Sequence, residues 1–323
     1  MKQQQYLLSI CIPTYNRETY LKRLLDSIVL QEWFTDDVSI VINDWPSSDN
    51  TEGMVLEYQK NYKNIYYSRN DVAVGMLPAI LESIDMSNGQ YTWLFGSDDF
   101  MYQDALKIML NTIKENAPEV ILSNRFTIHD FEESKKYTEK QIQSLSFHGF
   151  SDFWVYLGIR DDRTYRDKWN YLTFMSIFCF QTEHYRTMLQ YVTNNIVSID
   201  DLKKHYFNYI VIVFSQLFAS KKLCLIEQPR LVFCQWGNTS WKPNRKINQD
   251  IKMLMQYLEN TYNLPKECHR LFRRIYFESV IYGNFIYKIQ SISFFKKLIE
   301  WLMKNEYAKW IYFRCIKILS GSR

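Results

Sequence analysis

From residue 7 to about 122 the chain alternates short apolar runs with stretches in which apolar residues return every third or fourth position. The runs LLSICI (7–12), VSIVIN (38–43), NIYYS (64–68), YTWLFG (91–96) and EVILS (119–123) are rich in β-branched and aromatic residues and predict strands. Leu21, Leu24, Leu25 and Ile28 share one face of a helix expected over 18–30, a face suited to packing on a sheet. Strands that alternate with helices generate a parallel sheet, because each crossover returns the chain over one face in the right-handed sense. The expected fold class is α/β, a mostly parallel, Rossmann-like sheet flanked by helices. From 124 to about 180 the periodicity weakens, and the charged stretches HDFEESKK and IRDDRTYRDK predict exposed loops or a hairpin. A helix is expected from near Asp201 to about Ala219, followed by a strand LVFCQW (231–236) and a polar turn GNTSW. Amphipathic patterns from Ile247 onward predict a C-terminal helical appendage. The boundaries that follow are a domain over 1–242, in halves 1–123 and 124–242, and a helical region over 243–323.

Composition narrows the classes. The length of 323 residues suits one large domain with an appendage, and 47% hydrophobic with 23% charged residues is an ordinary folded composition. A net charge of +4 is too small for a nucleic-acid partner, which calls for a concentrated basic face. The six cysteines, Cys11, Cys179, Cys224, Cys234, Cys268 and Cys315, form no CxxC pair and read as buried reduced thiols. The N-terminal apolar run is too short for a signal sequence and stops at Pro13, and no window approaches the roughly 18 apolar residues of a spanning helix. A soluble or peripheral protein in the cytoplasm is expected.

In an open parallel sheet, ligands bind beyond the carboxyl ends of the strands, and that is where the unusual residues lie. PTYNR (13–17) follows the first strand, NDWPSSDN (43–50) follows the second, and GSDD (96–99) follows the fourth. Asp44 offers a carboxylate that can accept an imide N–H of a base or a ribose hydroxyl, or can simply close its turn. Adjacent acids at Asp98 and Asp99 repel each other unless something positive lies between them. Either the pair holds a divalent cation, or one of them caps the helix expected over 102–116.

The three loops resemble those of the family 2 glycosyltransferases, whose GT-A fold carries a P-x-Y-N-R-like loop, an acidic D-D-x-S-x-D-like loop and a D-x-D-like motif. The resemblance spans roughly residues 6–125. It implies that 1–123 is a nucleotide-binding half and 124–242 an acceptor-binding half. It implies nucleotide contacts for Pro13, Thr14, Tyr15, Asn16, Asp44, Asp71 and Asp98, and Mn2+ or Mg2+ held directly by Asp99 with Asp98 sharing the ion or nearer the ribose. Arg17 is either a phosphate contact or a surface charge. The sequence departs from the pattern at Asn43, at Trp45-Pro46, at Gly75 in the loop RNDVAVG, and at Gly96, which stands where the family has its first acid.

An inverting transfer needs a base for the acceptor hydroxyl, and a carboxylate is already ionised at neutral pH. The resemblance places that base in a second acidic motif, matched here by IDDLKKH (199–205), with Asp201 the choice, Asp200 the alternative, and His205 on the same helical face as Asp201. CQWGNTSW (234–241) is similar to a turn in family members that build bacterial O-antigen or capsule sugars, and Trp236 and Trp241 either stack on sugar rings or close the core. The segment 294–323 mixes aromatics with Lys and Arg, a composition for lying on an anionic membrane or for packing against a partner subunit in an oligomer. The function implied is a metal-dependent transfer of a single sugar from a nucleotide sugar, a UDP-sugar foremost, to a saccharide or lipid-linked saccharide acceptor, at the inner face of the cell membrane. The alternative is a catalytically silent nucleotide-sugar or carbohydrate-binding protein on the same fold. A dehydrogenase or P-loop enzyme fits poorly, since neither G-x-G-x-x-G nor G-x-x-x-x-G-K is present.

Overall fold

The computed structural model describes residues 6–72, 76–128, 142–157, 174–195, 213, 215–217 and 219–235. By its contacts the chain divides into units Met1–Ser240 and Trp241–Arg323, and every described residue lies in the first. The region 243–323, Trp236 and Trp241 thus lie outside the described residues. So does most of the helix expected from Asp201 to Ala219, of which 213, 215–217 and 219 are helical.

The chain enters on β1 (Tyr6–Thr14), crosses by α1 (Glu18–Val29) to β2 (Val38–Asp44), and by α2 (Thr51–Asn61) to β3 (Ile65–Arg69). Then α3 (Met76–Asp85) returns it to β4 (Gly89–Leu94) on the other side of β1. A short β5 (Asp99–Met101) and α4 (Ala105–Asn116) lead to β6 (Val120–Ser123) and β7 (Arg125–Ile128). Beyond lie β8 (Gln143–Phe147), a helix Phe150–Leu157, a 3-10 turn Met175–Ile177, β9 (Phe178–Gln181), a helix Thr182–Asn195, β10 (Leu223–Gln228) and β11 (Val232–Gln235).

The main sheet runs β3-β2-β1-β4-β9-β6-β10-β8, and a small sheet runs β5-β11-β7. Pairing is parallel through β3, β2, β1 and β4 and between β6 and β10; β9 lies antiparallel to both of its neighbours, and β8 is antiparallel to β10. The mostly parallel sheet expected from the sequence is therefore present. β9 comes from the weakly patterned stretch 124–180 and is laid inside the sheet, where loops or an exposed hairpin were expected.

Leu8, Ile10 and Ile12 of β1 and Val38, Ile40 and Ile42 of β2 are fully buried against Leu21, Leu24, Leu25 and Ile28 of α1. Each such side chain contributes about 1.5–3 kcal/mol, so this layer anchors the strand ends that carry the polar loops. Gly89 lets β1 and β4 close up, since a Cβ there would sit 2.5 Å from the Ser9 amide nitrogen. Strand order reverses at β1, and crevices for ligands form at such points. Cys11, Cys179, Cys224 and Cys234 are buried free thiols, as expected. Among the described residues, no helix is long and apolar enough to cross a membrane.

Candidate functional site

The loops after β1 and β2 are locked to each other. Thr14 lies opposite Asp44 in the ladder, and the Trp45 amide donates to the Thr14 carbonyl at 2.9 Å. Asn16 adopts φ 50°, a left-handed conformation that Asn tolerates better than most residues. That turn lets its amide donate to Ser47 Oγ at 2.8 Å while its Oδ1 accepts the Ser48 amide at 2.7 Å. Asp49 takes the first amide of α1, at Glu18, and that of α2, at Thr51, so one carboxylate caps two helices. Tyr15 is left 45% exposed, edge-on to Trp45 at 5.4 Å between ring centroids.

Asp44 sits at the centre of this lock with no exposed surface. Its Oδ1 accepts the Ser47 hydroxyl at 2.5 Å and its Oδ2 the Tyr67 hydroxyl at 2.7 Å. Burial raises its pKa, and the bonds from Ser47 and Tyr67 and the charge of Arg69 work against that rise. Arg69 also donates to the Ser47 carbonyl at 3.0 Å. Pro13, Thr14, Tyr15, Asn16 and Asp44 are thus brought together, with Tyr15 and Asn16 exposed and the others buried. Asp71 stands exposed just past Asn70, whose amide donates to the Asp44 carbonyl.

At the end of β4 the chain turns at Gly96 and Ser97 into Asp98 and Asp99. The helix-capping alternative fails for this pair: α4 begins only at Ala105, with Asp104 as its N-cap residue. Asp98 is the more open of the two, its side chain 36% exposed, with the Arg17 guanidinium 3.9 Å away and Arg23 donating to its carbonyl at 3.1 Å. Asp99 is 6% exposed and opens β5, opposite Cys234 of β11. Burial, then the charge of Asp98, pushes the Asp99 carboxyl up to about 7, against bonds from Ser176 and Cys234 and the charge of Arg125.

A divalent cation fits these residues. A Cβ built on Gly96 would stand 3.1 Å from Asp99 Oδ2, 3.2 Å from Ser176 Oγ and 3.3 Å from Asp98 Oδ1, so both carboxylates border the same small space. Burial and the neighbouring charge of Asp98 both disfavour the ionised Asp99, and a cation beside the pair would offset them. Among the described residues no three His, Cys, Asp or Glu side chains cluster to hold a metal by themselves. Two carboxylates completed by ligand phosphates is how Mg2+ is commonly held, and Mn2+ accepts the same oxygen donors.

Ser176, Arg125 and Tyr67 complete the site and carry no motif in the sequence, and Cys234 joins them from the first position of CQWGNTSW. Arg125 on β7 stacks over Phe174 at 4.3 Å and contributes its charge toward Asp99 across the small sheet. Asp200, Asp201 and His205 lie outside the described residues.

Known proteins resemble this chain in sequence and in fold. An abequosyltransferase of Salmonella typhimurium is 44% identical over 120 residues, 37% of this chain and 36% of that protein. A poly(ribitol-phosphate) beta-glucosyltransferase of Bacillus spizizenii is 32% identical over 116 residues, 36% of this chain and 18% of that protein. The match thus spans about a third or less of the length of these relatives. In solved structures, the 1–349 fragment of Staphylococcus aureus TarS in complex with UDP gives a TM-score of 0.58 at 15% identity, over 88% of this chain and 72% of that one. A Pyrobaculum calidifontis mannosyltransferase in complex with GDP-Man and Mn2+ gives 0.51 at 11% identity, over 100% and 90% of the two chains. At those identities the likeness establishes the fold, a GT-A glycosyltransferase fold. The sequence profile described as Glycosyl transferase family 2 matches residues 9–188, more than half of the chain, and takes in both locked loops and the two carboxylates. The chain belongs to glycosyl transferase family 2.

Proposed function

We propose that this protein is an inverting, metal-dependent glycosyltransferase that moves one sugar from a nucleotide sugar, a UDP-sugar foremost, to a hydroxyl of a saccharide or lipid-linked saccharide in bacterial surface-polysaccharide assembly. The observation that carries this reading is the convergence of Asp98 and Asp99 on one space at the C-terminal edge of β4, beside the locked loops of β1 and β2. The UDP complex of TarS and the Mn2+ complex of the mannosyltransferase support the donor and the metal by fold likeness.

Tyr15 and Trp45 offer aromatic surface for the base, held in place by the Asp44 network. Asp98 and Asp99 would hold Mn2+ or Mg2+, which when bound neutralises charge that develops on a departing diphosphate. Arg17 stands beside Asp98 at the start of α1, where it would meet a phosphate oxygen. Asp201, with Asp200 as its neighbour, takes the acceptor proton in this scheme; Asp201→Asn is expected to lower transfer about 100-fold and to leave UDP affinity unchanged. Turnover equal to wild type removes Asp201 from the mechanism. The C-terminal segment 294–323 would bring the enzyme to an anionic cytoplasmic membrane face and its lipid-linked acceptor.

Incubation with a panel of nucleotide sugars and Mn2+ or Mg2+ tests the proposal. Slow, metal-dependent release of a nucleoside diphosphate from one donor is the expected result. Binding of a donor without release, under every condition, favours the silent carbohydrate-binding alternative, for which the missing acid at Gly96 is the specific observation.

A further inference from the structure

The structure assigns Ser176 as a positioning residue for the Asp99 carboxylate, and we propose that its hydroxyl supplies the polar group that residue 96 lacks. This rests on the reading of Asp98 and Asp99 as cation ligands.

Ser176 is fully buried in the 3-10 turn that precedes β9. Its Oγ accepts the Gly96 amide at 2.8 Å and donates to Asp99 Oδ2 at 2.5 Å. An ionised carboxylate can only accept, so with Asp99 charged the Ser176 hydroxyl directs its single proton at Oδ2. Its backbone carbonyl meanwhile accepts the Trp93 indole N–H at 2.8 Å, which ties the turn to β4 itself. The serine is therefore attached to the strand that presents the carboxylates, and it holds one of them in a set orientation.

Gly96 makes this possible. A side chain there would begin 3.2 Å from Ser176 Oγ and 3.1 Å from Asp99 Oδ2, closer than most Cβ contacts allow. With no side chain at 96, a hydroxyl from a segment 77 positions beyond Asp99 reaches the carboxylate. Ser176 and Gly96 thus act as a unit: the glycine leaves the space and the serine borders it.

Titration of the full chain with Mn2+ alone, followed by the electron paramagnetic resonance signal of the free ion, tests this. Ser176→Ala is expected to weaken Mn2+ binding about tenfold or more, as loss of a group that orients a metal ligand does. Turnover at saturating Mn2+ is expected to stay within about threefold of wild type, a split that general loosening of the fold does not give. Gly96→Ala is expected to weaken Mn2+ in the same direction, and it tests the same geometry should Ser176→Ala not fold. In the double variant the loss is expected to fall short of the product of the two, because the added methyl enters space that the hydroxyl has left. Unchanged Mn2+ affinity in Ser176→Ala, with affinity lost in Asp99→Asn, overturns the role of Ser176 and leaves the cation site standing. Unchanged affinity in both variants overturns the cation site, and this inference with it.

Discussion

Asp99→Asn is expected to lower turnover by about 100- to 1000-fold while making the metal-free protein more stable at pH 8. The two effects have one cause. The carboxyl titrates near 3.8 in an unfolded chain and at about 7 in the fold, where burial and the charge of Asp98 disfavour ionisation. Between those values the folded protein holds a proton that the unfolded chain has released, so stability is lost as pH rises from about 4 to about 7 and then levels. Asn carries no such burden and still accepts the Ser176 hydroxyl, so the variant gains on the order of 1–3 kcal/mol at pH 8. That difference closes as pH falls toward 4. Mn2+ should raise the melting temperature of wild type and leave that of the variant in place, since only a ligand bound to the native state stabilises it. Melting curves at pH 5 and pH 8, with and without Mn2+, separate the possibilities. A variant that is less stable at pH 8 and still responds to Mn2+ makes Asp99 a structural residue.

Asp44→Ala is expected to destabilise the protein by about 2–4 kcal/mol and to weaken UDP binding more than about 100-fold, in step. The resemblance implies a base contact for Asp44, but both of its oxygens are engaged by Ser47 and Tyr67 and it has no exposed surface. Removing it strands two hydroxyls and releases the loop that carries Trp45. Tyr67→Phe removes a single bond and should lose about 1 kcal/mol, with a proportionate loss of affinity. Chemical denaturation read beside UDP titration checks this. A variant at Asp44 that unfolds like wild type yet no longer binds UDP makes the carboxylate a ligand contact and not a keystone.

Much of the nucleotide side was legible in the sequence, because buried parallel strands are written as continuous apolar runs. LLSICI and VSIVIN predict β1 and β2 within two residues of their ends, and the polar residues after them lie where the loops are. The carboxylate pair was visible because two successive acids at a strand end are electrostatically unfavourable. What stayed hidden depends on pairing with distant segments. FCFQ of β9 is only four residues, and its partners β4 and β6 are fixed by register and not by composition. QSLSF of β8 lies at the sheet edge with three of its five positions exposed and none buried, so its apolar pattern is weak. Ser176 has no signature in MSIFCF; the one available signal was Gly96, where a missing side chain asks what occupies its place. Tyr67 reads in NIYYS as strand filling, and only the fold sets its hydroxyl on Asp44.

The central claim is that Asp98 and Asp99 together hold a cation that in turn holds a diphosphate. Calorimetric titration of UDP into the full chain, with and without Mn2+, tests it most directly when wild type is compared with Asp98→Asn/Asp99→Asn. The account predicts that Mn2+ tightens UDP binding at least about tenfold in wild type and not at all in the double variant. Equal tightening in both proteins, or none in either, contradicts it.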